Sequence, residues 1–331
     1  MILPPLPPLP LVDDHLFVDN ALLESWTLCG RKTEYSVFRN RVLANAKAAL
    51  NYGGAIHEAL KTRYTTSPDL ATPEVYSHQS EVLTAWFYAK PNPVDDRRSL
   101  DLALRTIQAY NEIYQCESFS VLSLDGKPCV EMPFVFHLFS TTVNGKPINV
   151  MYCGKIDLVV RQEGAHWVVD HKTTSIFGEQ TFKGYVLSPQ MFGYCAGWLK
   201  TTGELPNGFV VNCIKVPQIQ KTTGIAHIEG TTQFFGRVTQ AISLPQLKEW
   251  EYNTITLIKE VLWHYENGFM PQKKSWCYGK FGPCDFVNVC EMEDPILRVD
   301  YLMGSNEYVN NEWSPLNDFK RLALPERKED Q

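Results

Sequence analysis

What this chain of 331 residues lacks narrows its class before any motif is read. It has no apolar run of transmembrane length, and no basic segment of the signal-peptide kind at its start, so neither a membrane span nor export is expected. Its nine cysteines are odd in number and include no Cys-x-x-Cys pair, which counts against a disulfide framework and against the usual zinc knuckle. A reducing, cytoplasmic compartment fits better. There is no surplus of positive charge: 31 Lys and Arg stand against 37 Asp and Glu, a formal net charge of -6. That speaks against a protein coated in nucleic acid, since non-specific phosphate binding is driven by positive charge, although a local basic groove is what matters. Nor is there an internal repeat. What is left, 44% hydrophobic and 21% charged, is the composition of a globular protein with a sizeable core. One large domain suffices, with two lobes as the alternative.

Against that background one stretch stands out: Gly154-Lys155-Ile156-Asp157, followed by Val168-Val169-Asp170-His171-Lys172-Thr173-Thr174. Residues 156–160 and 167–172 are rich in β-branched and aromatic side chains, and Gln162-Glu163-Gly164-Ala165 between them suits a tight turn. A turn centred between Glu163 and Gly164 sets Asp157 opposite Asp170, and strand alternation puts Lys172 on the face of Asp170. Two carboxylates side by side repel unless a cation lies between them, and oxygen ligands favour a hard divalent ion, magnesium or manganese. Such an ion polarises a phosphate and acidifies bound water, and Lys172 would position that water or stabilise the developing charge. The plain alternative is a pair of solvent-facing acids bridged to Lys172.

Gly-x-Ile-Asp followed by Val-Val-Asp-x-Lys-Thr resembles the active-site hairpin of the PD-(D/E)XK nuclease superfamily, with Asp170 as the variable acid. The chain is most similar to its RecB-like branch, which includes phage exonucleases. Gly53-Gly54-Ala55-Ile56-His57-Glu58-Ala59-Leu60 resembles the helix that carries a metal-binding histidine, and Gln190-Met191-Phe192-Gly193-Tyr194 resembles the branch's Gln-x-x-x-Tyr helix. Read by themselves, residues 52–63 form an amphipathic helix with His57 beside the apolar stripe, and Gln190 and Tyr194 point the same way on a helix that Ser188-Pro189 begins. The resemblance implies that His57, Asp157 and Asp170 hold the metal, and that Asp157, Asp170, Lys172, Gln190 and Tyr194 form the catalytic set. Glu131, opening the apolar run 132–139, is a further candidate for the same cavity.

Cys29 lies far upstream of Cys277, Cys284 and Cys290. One early and three late cysteines resemble the iron-sulfur staple of RecB-like nucleases, in which four thiolates hold a [4Fe-4S] cluster. The gap between the first two late cysteines is longer than the family's common one, and zinc or four reduced thiols are the competing readings. Cys116, Cys129, Cys153, Cys195 and Cys213 read as core.

The predicted elements are helices near 22–38, 52–64, 78–88 and 100–114, and strands at 119–124, 129–139 and 148–152 before the hairpin. After the Gln190 helix come a buried-type strand at 208–216 and a long helix near 244–267. This order gives an α/β, restriction-endonuclease-like core: a central mixed β-sheet flanked by helices, with helical additions at both ends. The expected organisation is a proline-rich segment over residues 1–20, a nuclease domain with its cysteine staple over 21–295, and an extension over 296–331, frayed at 326–330. The implied activity is Mg2+- or Mn2+-dependent hydrolysis of DNA, as an exonuclease in recombination, repair or phage DNA processing, in the host cytoplasm if phage-encoded. Single-stranded DNA or duplex ends and a protein of a recombination or repair complex are the implied partners. Arg31, Lys32, Arg39 and Arg41 with Lys273, Lys274 and Lys280 would flank a channel in which Trp276, Tyr278 or Phe281 stack bases. The alternatives are a non-catalytic nucleic-acid-binding scaffold that keeps the fold, and a hydrolase of other phosphate esters.

Overall fold

A computed structural model describes residues 4–44, 48–67, 70–90, 97–218, 227–228, 233–279 and 282–311. The chain divides into two compact units, one of Met1–Ala44, Pro133–Gly154 and Lys248–Gln331, the other of Asn45–Met132 and Lys155–Leu247. Both strands of the predicted hairpin are long: Lys146–Gln162, which enters the second unit at Lys155, and Ala165–Thr174.

In the second unit these strands pair antiparallel from Gln162↔Ala165 to Leu158↔Val169, the register the turn predicts. Glu163 and Gly164 have φ of 50° and 80°, so both central residues of the two-residue turn are left-handed. That turn matches the natural twist of a hairpin and fixes its pairing. Ala165–Thr174 then runs parallel to Gly208–Lys215, which pairs antiparallel with Phe235–Ala241. The sheet is therefore mixed. Leu158, Val160, Val169, Val210 and Ile214 pack on one face with side chains of the helices Ala48–Thr66 and Leu100–Ile113. Phe209, which alternation turns to the other face, meets Phe192 of the helix Pro189–Thr202 at 6.0 Å between ring centroids. Helices on both faces of a mixed sheet are the α/β architecture expected.

The first unit has its own core. His15–Val18 runs parallel to residues 149–152, and the helix Asn20–Leu28 is capped by Asp19, which accepts a 2.8 Å bond from Leu22 N. The expected continuous helix over 22–38 is broken at Cys29, whose backbone is extended; helical turns resume over Gly30–Thr33 and Glu34–Phe38. A side chain at position 30 would stand 2.8 Å from Trp26, so the close approach there needs glycine. The proline-rich segment is tied down through its carbonyls: Tyr265 Oη donates to Pro7 O and Arg39 Nη2 to Pro5 O, both at 3.0 Å. Of the cysteines expected in the core, Cys129, Cys153, Cys195 and Cys213 are buried. Cys116 is exposed, because it follows the end of the helix Leu100–Ile113 in an irregular connection. The extension beyond 295 begins with the helix Pro295–Gly304 and the strand Tyr308–Asn310; residues 312–331, with the predicted frayed end, lie outside the described residues.

Candidate functional site

The ladder between the hairpin strands ends at Leu158↔Val169, one step short of Asp157 and Asp170. There the Asp157 side chain replaces the backbone: its Oδ2 accepts the His171 N–H at 2.8 Å. The same oxygen lies 3.3 Å from Nδ1 of His57, half-buried on the helix Ala48–Thr66. Gly53 lets that helix come close to the sheet, since an added Cβ would stand 3.1 Å from Thr173 Oγ1, and Gly54 lets it meet the helix Pro73–Ala89, where a Cβ would stand 2.8 Å from the Trp86 ring.

Glu131 completes the cluster. It belongs to the strand Val130–Val143, yet its φ is 50°, the left-handed region that a non-glycine residue in a strand rarely adopts. Strained backbone of this kind concentrates at functional sites. One ligand atom from each of His57, Glu131 and Asp157 lies within 4.8 Å of the others, the one such group of acids, histidines and cysteines among the described residues. Two carboxylates and an imidazole suit a hard or borderline divalent cation. Glu131 also meets Lys155 Nζ at 2.6 Å.

Asp170 is nearly inaccessible and is clasped by Lys172, whose Nζ is 3.1 Å from Oδ1 and 2.9 Å from Oδ2. Oδ2 nonetheless lacks a hydrogen bond of proper geometry. Asp170 is thus not part of the three-residue cluster, but a buried carboxylate with an unsatisfied oxygen is what an added cation would relieve. The electrostatics push the two acids apart. Burial and the charge of Asp157 raise Asp170 above the usual carboxylate range, against the pull of Lys172. Asp157 is buried too, yet His57 and the His171 N–H hold it well below that range. Burial would lower Lys172, but Asp170 outweighs it and the net shift is upward. In the metal-free protein Asp170 thus favours the ammonium form of Lys172, which suits it to stabilising charge. His57 is likewise raised, burial being outweighed by Asp157.

Gln190 and Tyr194 lie on the helix Pro189–Thr202, where Gln190 Nε2 donates to Tyr194 Oη at 2.8 Å. The sequence reading missed a polar cluster in the same unit: Arg63, Asn212, His171 and the side chain of Glu117 are buried and joined with Arg237, Tyr64 and Tyr110. Its one signal was Asn212, a lone amide within an otherwise apolar strand run.

The four cysteines belong to the first unit and carry no disulfide. Lys273 N points at Cys29 Sγ (3.4 Å), Gln272 Nε2 at Cys277 Sγ (3.8 Å), and Cys284 N donates to Cys277 O (2.8 Å). Burial pushes the Cys290 thiol up to about 11, with Arg31 pulling it down and Cys29 and Cys284 adding to the rise. Cys284 and Cys290 pack against the same small core of Tyr35, Phe286, Val289, Leu302 and Tyr308, and the adjacent Gln272 and Lys273 reach Cys277 and Cys29. Of the predicted basic groups, Arg39 is bound to Glu34 at 2.8 Å, Arg41 to Asn310 at 2.9 Å, Arg31 to Gln272 at 3.0 Å and Lys273 to Thr27 O at 3.0 Å. Trp276 and Tyr278 are exposed, while Lys280 and Phe281 lie outside the described residues. Among the described residues no helix is long and apolar enough to cross a membrane.

The sequence model of the PD-(D/E)XK nuclease superfamily matches residues 29–291. No curated protein matches the chain. A solved structure described as "Crystal structure of SSO0001" aligns over 62% of this chain and 74% of its own, with 11% identity and a TM-score of 0.24, a likeness too slight to carry an argument.

Proposed function

Because the chain belongs to the PD-(D/E)XK nuclease superfamily, we propose that it hydrolyses phosphodiester bonds of DNA from strand ends, using Mg2+ or Mn2+. The observation that carries the reading is the convergence of His57, Glu131 and Asp157 beside the Asp170–Lys172 pair. Of the ligands the sequence pointed to, His57 and Asp157 stand in the cluster with the further candidate Glu131, and Asp170 would join them through Oδ2, beside the Lys172 ammonium. When bound, the ion supplies Lewis acidity and a more acidic water. The protein's own part is positional. Asp157 is fixed by the His171 N–H, Asp170 holds Lys172, and the Lys172 ammonium faces the charge that develops on the phosphate as water attacks in line. Gln190 and Tyr194, already bonded to each other, would border the site and hold the DNA backbone. A nucleic-acid substrate follows from the superfamily, while the preference for DNA, the action at ends, and a role in recombination, repair or phage DNA processing with a protein partner belong to the proposal.

The proposal extends to the cysteines: Cys29, Cys277, Cys284 and Cys290 hold a [4Fe-4S] cluster, supported by their place in one unit, where Cys284 and Cys290 pack on one core and Gln272 and Lys273 reach Cys277 and Cys29. Protein purified without air should be brown and contain about four irons per chain. Zinc in place of iron, or neither metal, would dismiss the cluster without touching the nuclease site.

The decisive experiment incubates end-labelled single- and double-stranded DNA with the protein and Mn2+, beside Asp157→Ala and Lys172→Ala. Mononucleotide release by the parent and loss of cleavage in both variants is expected. Cleavage surviving in both would remove the site, and internal cuts alone would replace the exonuclease assignment with an endonuclease.

A further inference from the structure

Asn212 is fully buried on the strand Gly208–Lys215, whose other members are apolar or glycine until the terminal lysine. A buried amide is costly unless its donors and acceptor are used. Here they are: Nδ2 donates to Tyr110 Oη at 2.9 Å and meets His171 Nδ1 at 2.8 Å, and Oδ1 accepts from Arg237 Nε at 3.5 Å. Since an amide nitrogen only donates, His171 Nδ1 accepts and the ring proton resides on Nε2. The ring is then fixed on two sides. It stacks on Tyr64 with an interplanar angle of 6° and 5.7 Å between centroids, and it meets the His57 ring edge-on at 6.0 Å.

The partners of Asn212 lead back to the helix that carries His57. Tyr110 Oη bonds Tyr64 Oη at 2.8 Å, and Tyr64 Oη reaches Glu117 Oε1 at 2.7 Å. Arg237 grips both Glu117 oxygens, at 2.7 and 2.8 Å, and Arg63 lies 3.4 Å from the same carboxylate. Arg63 and Tyr64 are on the His57 helix, two turns on. A buried Arg–Glu–Arg group is seldom the most stable filling for a core, because desolvating its charges offsets their attraction. What it does supply is geometry: it ties the His57 helix through Glu117 to Arg237 on the strand Phe235–Ala241, while Tyr64, Tyr110 and Asn212 carry the connection on to His171.

We infer that Asn212 and His171 are positioning residues for the metal centre, the amide fixing the imidazole and the imidazole fixing the His57 ring against Asp157. This rests on the reading of His57 and Asp157 as ligands. The backbone N–H that holds Asp157 is supplied by any residue at 171 except proline, so a substitution there tests the ring alone.

The test measures Mn2+ binding to the full chain by the electron-paramagnetic-resonance signal of the free ion, with thermal melting alongside. Asn212→Leu, His171→Gln and the milder Tyr110→Phe, which keeps the ring and removes the hydroxyl that bonds Asn212, Tyr64 and Arg237, are compared with Asp157→Ala. Expected is a 10- to 100-fold weaker Mn2+ affinity in Asn212→Leu and His171→Gln, the usual size for partners of metal ligands, and a smaller loss in Tyr110→Phe. DNA cleavage should recover at saturating Mn2+ with an unchanged KM for DNA, which a merely misfolded variant would not show. If all three bind Mn2+ as the parent does while Asp157→Ala does not, the inference is overturned and the site stands. If Asp157→Ala also binds normally, the reading of the site falls first and takes the inference with it. Should Asn212→Leu or His171→Gln not fold, Tyr110→Phe decides.

Discussion

At Glu131 the demands of the site and of the strand are opposed. A left-handed backbone costs a non-glycine residue about 1–2 kcal/mol, because its Cβ crowds the carbonyl oxygen. Glycine escapes that cost, so Glu131→Gly should be about 1 kcal/mol more stable than Glu131→Ala, although both lose the contact with Lys155. Both should bind Mn2+ at least 10-fold more weakly than the parent. Chemical denaturation reads the first difference and metal titration the second; equal stability of the two variants would mean that the bend is unstrained. This residue also marks how far the sequence could be read. Asp157, Asp170, Lys172 and His57 were legible because acids, a lysine and a histidine at those spacings are rare beside apolar neighbours. Glu131 was legible as a further candidate for the same cavity, but the left-handed bend that swings it towards Asp157 leaves no mark, since glutamate is not a residue that favours such a backbone.

Elements add the constraint of fit. Gly53 and Gly54 sit in the middle of the helix Ala48–Thr66, where alanine would ordinarily favour the helix by about 1 kcal/mol each. At position 54 the added methyl would stand 2.8 Å from the ring of the partly buried Trp86, and overpacking typically costs about 1–3 kcal/mol. Gly54→Ala is therefore expected to be neutral to about 2 kcal/mol less stable, and to lose activity out of proportion as the helix carrying His57 shifts. A variant more stable than the parent in a thermal melt would show that Trp86 simply moves aside. The hairpin tells the complementary story. Its register was legible because a two-residue Glu163-Gly164 turn has one good geometry, and Gly164→Ala, at φ 80°, should cost about 1 kcal/mol or more in the same melt. Asn212 was not legible as a partner of His171, because parallel pairing joins strands that are 41 residues apart and no local pattern reports it. The helix Glu179–Val186 was missed for another reason: it buries no residue and so lacks the apolar stripe from which a helix is inferred.

For the whole molecule, the net charge of -6 includes carboxylates drawn inward to the site, and their stability depends on what neutralises them. Without a metal, the Asp157 carboxylate holds the His57 proton, overcoming burial and raising His57 above its ordinary 6.5. That pair contributes stability present below pH 6.5 and lost as pH rises through the raised value. Metal binding needs the neutral imidazole, so it competes with that proton: weak below the raised pKa, strong above it. The two effects act in the same direction on the difference between loaded and metal-free protein. Mn2+ at 100 times its Kd should stabilise the fold by about 2.7 kcal/mol at a pH above the His57 value. The increment should shrink steadily as the pH falls towards 6, by close to one proton's worth of dependence. In His57→Gln the increment should be smaller and vary less with pH, the dependence that remains near pH 6 coming from Asp170, whose carboxyl burial raises to about 6. Melts with and without Mn2+ across that range decide it; a parent whose increment does not change with pH would show that His57 gives up no proton on binding and is not a ligand.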